Sequence, residues 1–279
     1  MSLQASDRAG NPSPNLRRYG PWALVTGASD GIGRAIAEQL AQDGFNLVLV
    51  ARRQEALEAL AADLGRNGVE TRVVASDLGP RGGAAQLDKA TAELDIGLVV
   101  AAAGFGTSGA LLDASLETEL DMVDLNCRSV VEISTVFGRR LAARGRGGLV
   151  LFSSVLAFQG AAGAANYAAT KAFVQSLADG LSRELKPRGV DVLATAPGPT
   201  HSGFASRANM NMGFAATTKD VARATIAALG RSGTVRPGFV AKFLGWSLAP
   251  LPRGARTTIM GHAMASMRPK KTVAKAEVA

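Results

Sequence analysis

Short, nearly continuous apolar runs recur along this chain with longer helix-patterned stretches between them, and that alternation restricts the fold more than any other feature. The runs are Trp22 to Thr26, Asn46 to Ala51, Thr71 to Ala75, Gly97 to Ala102, Gly148 to Ser153 and Val190 to Thr195, with Thr234 to Val240 as a further candidate. Apolar residues on both faces mark strands that are covered on both sides. Between the runs, Ile32 to Gln42, Gln54 to Leu64, Ala84 to Leu94, Leu116 to Arg144 and Asn166 to Lys186 have helical periodicity. Pro187 and Gly189 stop the last of these, and Thr217 with Asp220 forms a capping box for another helix through Leu229. Strands alternating with helices must run parallel, joined by helical crossovers. The expected fold class is therefore α/β, a doubly wound parallel sheet of about seven strands with helices on both faces. No Pro/Ser-rich linker divides the series, so a single domain is expected over residues 21–240. A flexible tail over 1–20 and a helical extension with a basic tail over 241–279 complete the expected organisation.

The charge balance narrows the partners. The formal net charge is +8, yet part of the excess lies near the ends, in Arg17, Arg18, Arg268, Lys270, Lys271 and Lys275. No helix-turn-helix, finger or aromatic RNA-binding signature accompanies it, so no nucleic-acid partner is expected. A single cysteine, Cys127, excludes an intramolecular disulfide, and the two isolated histidines, His201 and His262, offer no metal-ligand spacing; no metal is expected. The first twenty residues lack the apolar stretch of a secretory signal, and the expected location is cytoplasmic. The most lipid-like segment, Phe239 to Leu251, is broken by Lys242 and Pro250 and is too short to span a bilayer. No stable membrane insertion is expected, and the segment reads as a surface that holds an apolar substrate.

The segment Thr26-Gly27-Ala28-Ser29-Asp30-Gly31-Ile32-Gly33 follows the first run and opens the first helix. Glycines there allow a sharp turn, close approach of a pyrophosphate to amides at a helix N-terminus, and close helix-to-strand packing. Three glycines alone also make an ordinary strand-to-helix turn, but the edge of a doubly wound sheet is where ligands bind. At the end of the second run stand Arg52 and Arg53 in place of an acidic residue. A guanidinium cannot accept hydrogen bonds from ribose hydroxyls, whereas it pairs well with a 2′-phosphate. NADP(H) is therefore the preferred cofactor, with NAD(H) the alternative.

Tyr167 and Lys171 are four apart in a helical stretch and emerge on one face. An ammonium beside a phenol favours the phenolate, so the pair is suited to moving a proton. Ser154 lies thirteen residues before Tyr167 at the end of a strand, and Asn126 twenty-eight before Ser154 in a helix. Together with the Gly-x-x-x-Gly-x-Gly turn, this set resembles the classical short-chain dehydrogenase/reductase family, over roughly Pro21 to Leu229. The resemblance implies a Rossmann-type fold in which Ser154 orients the reacting oxygen and Tyr167 is the general acid/base. It further implies that Lys171 holds the nicotinamide ribose and that Asn126 supports a proton relay through water. It implies that Asp77 and Leu78 meet the adenine ring, and that Pro197, Gly198 and Thr200 meet the nicotinamide. Ala101-Ala102-Ala103-Gly104 departs from the family's usual Asn-Asn-Ala-Gly, which leaves the local support around Ala103 and Gly104 open.

The function expected on this basis is interconversion of a carbonyl and an alcohol on a small apolar substrate by an NADP(H)-dependent oxidoreductase. A non-catalytic NADP(H) sensor on the same fold is the alternative, and such a sensor has no need of the Ser154, Tyr167 and Lys171 set. A basic surface protein touching nucleic acid or lipid would instead show salt-sensitive binding that NADPH does not alter. Thr200 to Phe214, with Phe204, Met210, Met212 and Phe214, reads either as a flexible lid over the substrate or as a helix on the core. The resemblance also implies a homodimer or homotetramer built through the helices at Leu116 to Arg144 and Asn166 to Lys186.

Overall fold

The computed structural model describes residues 13–203 and 215–267. Seven parallel strands form the central sheet: β1 (Trp22–Thr26), β2 (Asn46–Ala51), β3 (Thr71–Ala75), β4 (Ile96–Ala101), β5 (Gly147–Phe152), β6 (Val190–Thr195) and β9 (Thr234–Val235). Their order is β3-β2-β1-β4-β5-β6-β9, so the chain winds outward in both directions from a crevice between β1 and β4. Alternate residues of a strand face opposite sides. Ala23 and Val25 accordingly join one core cluster and Leu24 the other, as Val150 and its neighbours Leu149 and Leu151 do in β5.

One face is covered by α2 (Gly31–Gln42), α3 (Gln54–Gly65) and α8 (Thr218–Ala228), through Ile36, Leu40, Leu57 and Ile226. The other is covered by α4 (Gly83–Ala90), α6 (Ser129–Arg144) and α7 (Ala165–Leu185), through Leu87, Ile133, Phe137 and Val174. The expected doubly wound sheet is therefore present. Thr217 caps α8 as its spacing predicts, its hydroxyl accepting from the Asp220 amide at 3.1 Å.

Several expected boundaries need correction. The single helix predicted over Leu116 to Arg144 is α5 (Leu116–Val123), a π-turn at Asp124–Arg128, and α6. The seventh strand ends at Val235 instead of Val240, because Pro237 follows and Gly238 turns the backbone at φ +84° into α9 (Phe239–Leu248). The expected domain boundary at 240/241 thus falls inside a helix, and α10 (Arg253–Ser266) follows it. Thr200–His201 (β7) pairs in parallel with Ala216–Thr217 (β8), so the first part of the expected lid is a strand; Phe204, Met210, Met212 and Phe214 lie outside the described residues.

The tail expected over 1–20 is also different in its last part; residues 1–12 lie outside the described ones. Ser13 caps α1 (Pro14–Tyr19), and Tyr19 is 1% exposed, packed over Gly148. Its phenol donates to Asp191 Oδ2 at 2.8 Å, and the same carboxylate meets Arg18 at 2.6 Å and Lys186 at 3.2 Å. Replacing Tyr19 with Ala empties a fully buried aromatic site and should cost about 3–5 kcal/mol of unfolding free energy in a denaturant titration. A change within about 0.5 kcal/mol, as expected for a surface position, would contradict this placement.

Candidate active site

The carboxyl ends of the strands open onto a cavity of about 600 Å³. At one end lies the glycine turn between β1 and α2. Gly27 (φ +69°) and Gly31 (φ +58°) hold left-handed conformations that favour glycine. A Cβ at Gly27 would stand 3.0 Å from the backbone of Ala103, and one at Gly33 would collide with the Gly27 carbonyl. Two of the three glycines are therefore required by backbone packing alone. Asp30 caps α2, its carboxylate accepting from the Gly31 amide at 2.6 Å. The following first-turn amides have no intrahelical acceptor and suit an anion.

The departure at Ala101-Ala102-Ala103-Gly104 has local support of two kinds. The Thr26 hydroxyl accepts from Ala103 N at 3.0 Å, tying the ends of β1 and β4. Asn126, in the π-turn, accepts from Phe105 N at 3.1 Å and donates to Phe105 O at 2.8 Å and to the Thr170 hydroxyl at 3.1 Å. Gly104 must lack a side chain here, since its Cβ would sit 2.9 Å from Asn126 Oδ1. Thr26 and Asn126 thus stand behind the cavity wall and shape it. The other candidate residues line it: Gly27, Ser29, Asp30, Gly31, Ile32 and Gly33 in the turn, Arg52 and Arg53 after β2, Asp77 and Leu78 after β3, and Ala103 and Gly104 after β4. Pro197, Gly198 and Thr200 after β6 join them, with Ser154, Tyr167 and Lys171.

Arg52 and Arg53 are exposed at the cavity edge, with Arg53 donating to the Ser29 carbonyl and hydroxyl, both at 3.3 Å. Asp77 Oδ1 accepts from Gly79 N at 2.9 Å, and Leu78 is buried in the core. Beside them the Ser76 hydroxyl is buried without a partner in the described structure. A helix N-terminus, two guanidinium groups and an unsatisfied hydroxyl on one wall fit a phosphorylated dinucleotide.

At the other end, Ser154 follows β5 and caps a 3-10 turn, Val155–Phe158, accepting from Leu156 N at 3.2 Å. The four-residue spacing on α7 brings Tyr167 and Lys171 together, with Lys171 Nζ 5.7 Å from the Tyr167 ring centre. Lys171 Nζ donates to the Phe152 carbonyl at 2.9 Å. Burial pushes the Tyr167 phenol up to about 12, opposed in part by its hydrogen bond with Ser154. Burial pushes Lys171 down to about 8. The sequence leads one to expect an ammonium that lowers the phenol; in this site the opposing effect comes from Ser154, and desolvation outweighs it. Burial also raises the Cys127 thiol. Among the described residues no group of three His, Cys, Asp or Glu side chains could hold a metal.

Of the third wall, sequence reasoning anticipated only the part in Phe239 to Leu251, read as a surface that holds an apolar substrate, and missed the rest. Val155 and Leu156 come from the turn after Ser154, Val240 and Leu244 from α9, Met260 and Met264 from α10, and Met267 from its C-cap. The only signals were the apolar run at Phe239 to Leu251 and the spacing of the three methionines along one helix face. Gly198 approaches Ala241 closely, seating α9 against the turn after β6.

Comparison with known proteins places this geometry. A family model for short chain dehydrogenases matches residues 21–213. A very-long-chain 3-oxoacyl-CoA reductase of Podospora anserina is 41% identical over 190 residues, which are 64% of this chain and 55% of that protein. The chain thus spans little more than half the length of that relative. Among solved structures, one from work on the stereoselectivity of 7β-hydroxysteroid dehydrogenase superposes with a TM-score of 0.80 at 28% identity, covering 88% of this chain and 98% of the other. A short-chain dehydrogenase from Sphingobium yanoikuyae in complex with NADPH gives a TM-score of 0.74 at 29% identity, covering 93% and 99%. The matched span takes in the glycine turn, Ser154, Tyr167 and Lys171, and the chain belongs to the short-chain dehydrogenase family of oxidoreductases.

Proposed function

We propose that this protein is an NADP(H)-dependent reductase of bulky, apolar ketones, with Tyr167 as the proton donor. The observation that carries the reading is a single cavity with the glycine turn and Arg52 at one end, hydrogen-bonded Ser154 and Tyr167 at the centre, and an apolar wall of Leu156, Val240, Leu244, Met260 and Met264 beyond. NADPH supplies the hydride when bound. Ser154 and Tyr167 together offer hydroxyl donors to a carbonyl oxygen, polarising its carbon. As negative charge develops on that oxygen, Tyr167 gives up its proton to it, completing the alcohol. A phenol pushed up to about 12 is protonated at neutral pH, which suits the reducing direction. Lys171, near 8, exchanges a proton readily at neutral pH and can recharge the phenol. Asn126 acts at one remove, holding the Phe105 backbone beside Gly104.

Arg52 supports NADP(H) over NAD(H), as does the neighbour solved with NADPH. The names of two similar proteins, a very-long-chain acyl reductase and a hydroxysteroid dehydrogenase, agree with the apolar wall. A homodimer or homotetramer is part of the same proposal. Leu116, Leu120 and Val123 on α5, Val131 on α6 and Phe173 on α7 are exposed on the helices where the family resemblance puts the contact.

Three outcomes follow. With a panel of hydrophobic ketones followed by NADPH absorbance, Tyr167→Phe should lower kcat by about 10²–10⁴ while NADPH still binds; activity that survives the substitution sinks the mechanism. Arg52→Asp should move the ratio of kcat/KM for NADPH over NADH by roughly 10–100-fold toward NADH, and an unchanged ratio would overturn the role of Arg52. For Lys171, the ligand-free folded state holds the proton less tightly than the unfolded chain, whose lysine titrates near 10.5. Its destabilising effect is thus complete below pH about 8 and fades as pH rises to 10.5. Lys171→Met should therefore stabilise the ligand-free protein by up to about 3 kcal/mol at neutral pH, a gain that vanishes toward pH 10.5; a gain independent of pH would contradict the buried charge.

A further inference from the structure

Helix α9 has two faces, and the cavity uses only one. Val240 and Leu244 border the cavity and Ala241 and Leu248 are buried, whereas Phe239, Phe243 and Trp246 are 81%, 51% and 77% exposed. These three aromatics lie at i, i+4 and i+7, on one stripe of the helix. Phe239 and Phe243 stack on each other with ring centres 6.1 Å apart, and Lys242 is exposed beside them.

The stretch of sequence that contains this stripe carries charge of one sign. From Val221 to Ala276 the sequence contains ten Lys and Arg and no Asp or Glu, more positive charge than the net +8 of the whole chain. Lys242, Arg253 and Arg256 belong to α9 and α10, and Arg268, Lys270, Lys271 and Lys275 follow α10 in sequence. A second copy docked on the same face would bring this positive stretch against itself. A negatively charged lipid surface is complementary to it. It attracts Lys and Arg, and it accommodates Phe and Trp at headgroup depth.

We propose that the outer face of α9 docks this protein on the surface of an anionic lipid bilayer, with Phe239, Phe243 and Trp246 entering the headgroup region and Lys242 facing lipid phosphates. The attachment is peripheral; among the described residues no helix is long and apolar enough to cross a membrane. Docking stands on the exposed face and the charge alone. Its use rests on the proposed function: the inner face of the same helix walls the cavity, so an apolar ketone held in the membrane would be taken up next to where it resides.

The test uses the full chain and vesicles of phosphatidylcholine with or without phosphatidylserine. Flotation of the wild-type protein should show binding to the phosphatidylserine vesicles that weakens in high salt. Because the chain has two tryptophans, Trp22→Phe leaves Trp246 as the sole reporter. Its emission should shift to the blue on the anionic vesicles and be quenched by a bilayer-buried quencher. Phe239→Ser/Phe243→Ser, at exposed positions outside the cavity, should weaken partitioning roughly tenfold or more while reduction of a water-soluble ketone is unchanged. Absence of vesicle binding would overturn the proposal. So would binding that the double variant retains in full, which would assign it to basic charge alone, or a vesicle-independent blue shift that tracks self-association, which would make the occupant a second copy. Loss of ketone reductase activity in the Tyr167→Phe protein with vesicle binding intact would separate this proposal from the enzymatic one.

Discussion

The close approach of two backbones, Gly27 against Ala102 and Ala103, is the constraint on which the site depends. A side chain at Gly27 would stand 3.0 Å from Ala103 and separate the ends of β1 and β4, where the sheet changes its winding direction. With that contact made, Thr26 can accept from Ala103 N, and Asn126 can grip Phe105 one residue beyond Gly104. The crevice then has a cofactor wall on the β1 side and, across β5, Ser154 and α7 on the other. Gly27 and Gly33 therefore have a packing reason that precedes any ligand.

Much of this was legible from residue order. β1, β2 and β6 begin and end where their apolar runs do, because strands buried on both faces show little compositional ambiguity. The spacing of Tyr167 and Lys171 becomes proximity directly, since a helix converts four positions into one turn. What escaped the sequence depends on contacts distant along the chain. Tyr19 belongs to the core through Asp191, a partner 172 residues away, and six residues of helix carry no periodic signal of their own. The methionines of α10 line the cavity beside Val240 and Leu244 of α9, a placement set by tertiary packing. The π-turn at Asn126 likewise has no local signature; the side chain's two-way grip on Phe105 is visible only in three dimensions.

Electrostatics at the site run against the simple expectation from neighbours. Placing an ammonium one turn from a phenol suggests a phenolate, yet both groups are buried, and burial disfavours the charged form of each. The phenol is driven up and the lysine down, so their values move apart, with a proton held firmly on Tyr167 and one held loosely on Lys171. In the proposed function this pair donates a proton to an oxygen that acquires charge, with Lys171 able to replace it.

The apolar wall gives that proton its proposed destination, since Leu156, Val240, Leu244 and the α10 methionines can surround a large hydrophobic ketone while offering it no charge. The central claim, hydride transfer to such a carbonyl from NADPH, is tested most directly by isotope. The protein would be incubated with a hydrophobic ketone and NADPH carrying deuterium at both C4 positions of the nicotinamide, and the alcohol product examined by mass spectrometry and NMR. The proposed function predicts deuterium on the carbinol carbon and none on any other carbon. An alcohol bearing only protium at that carbon would contradict it.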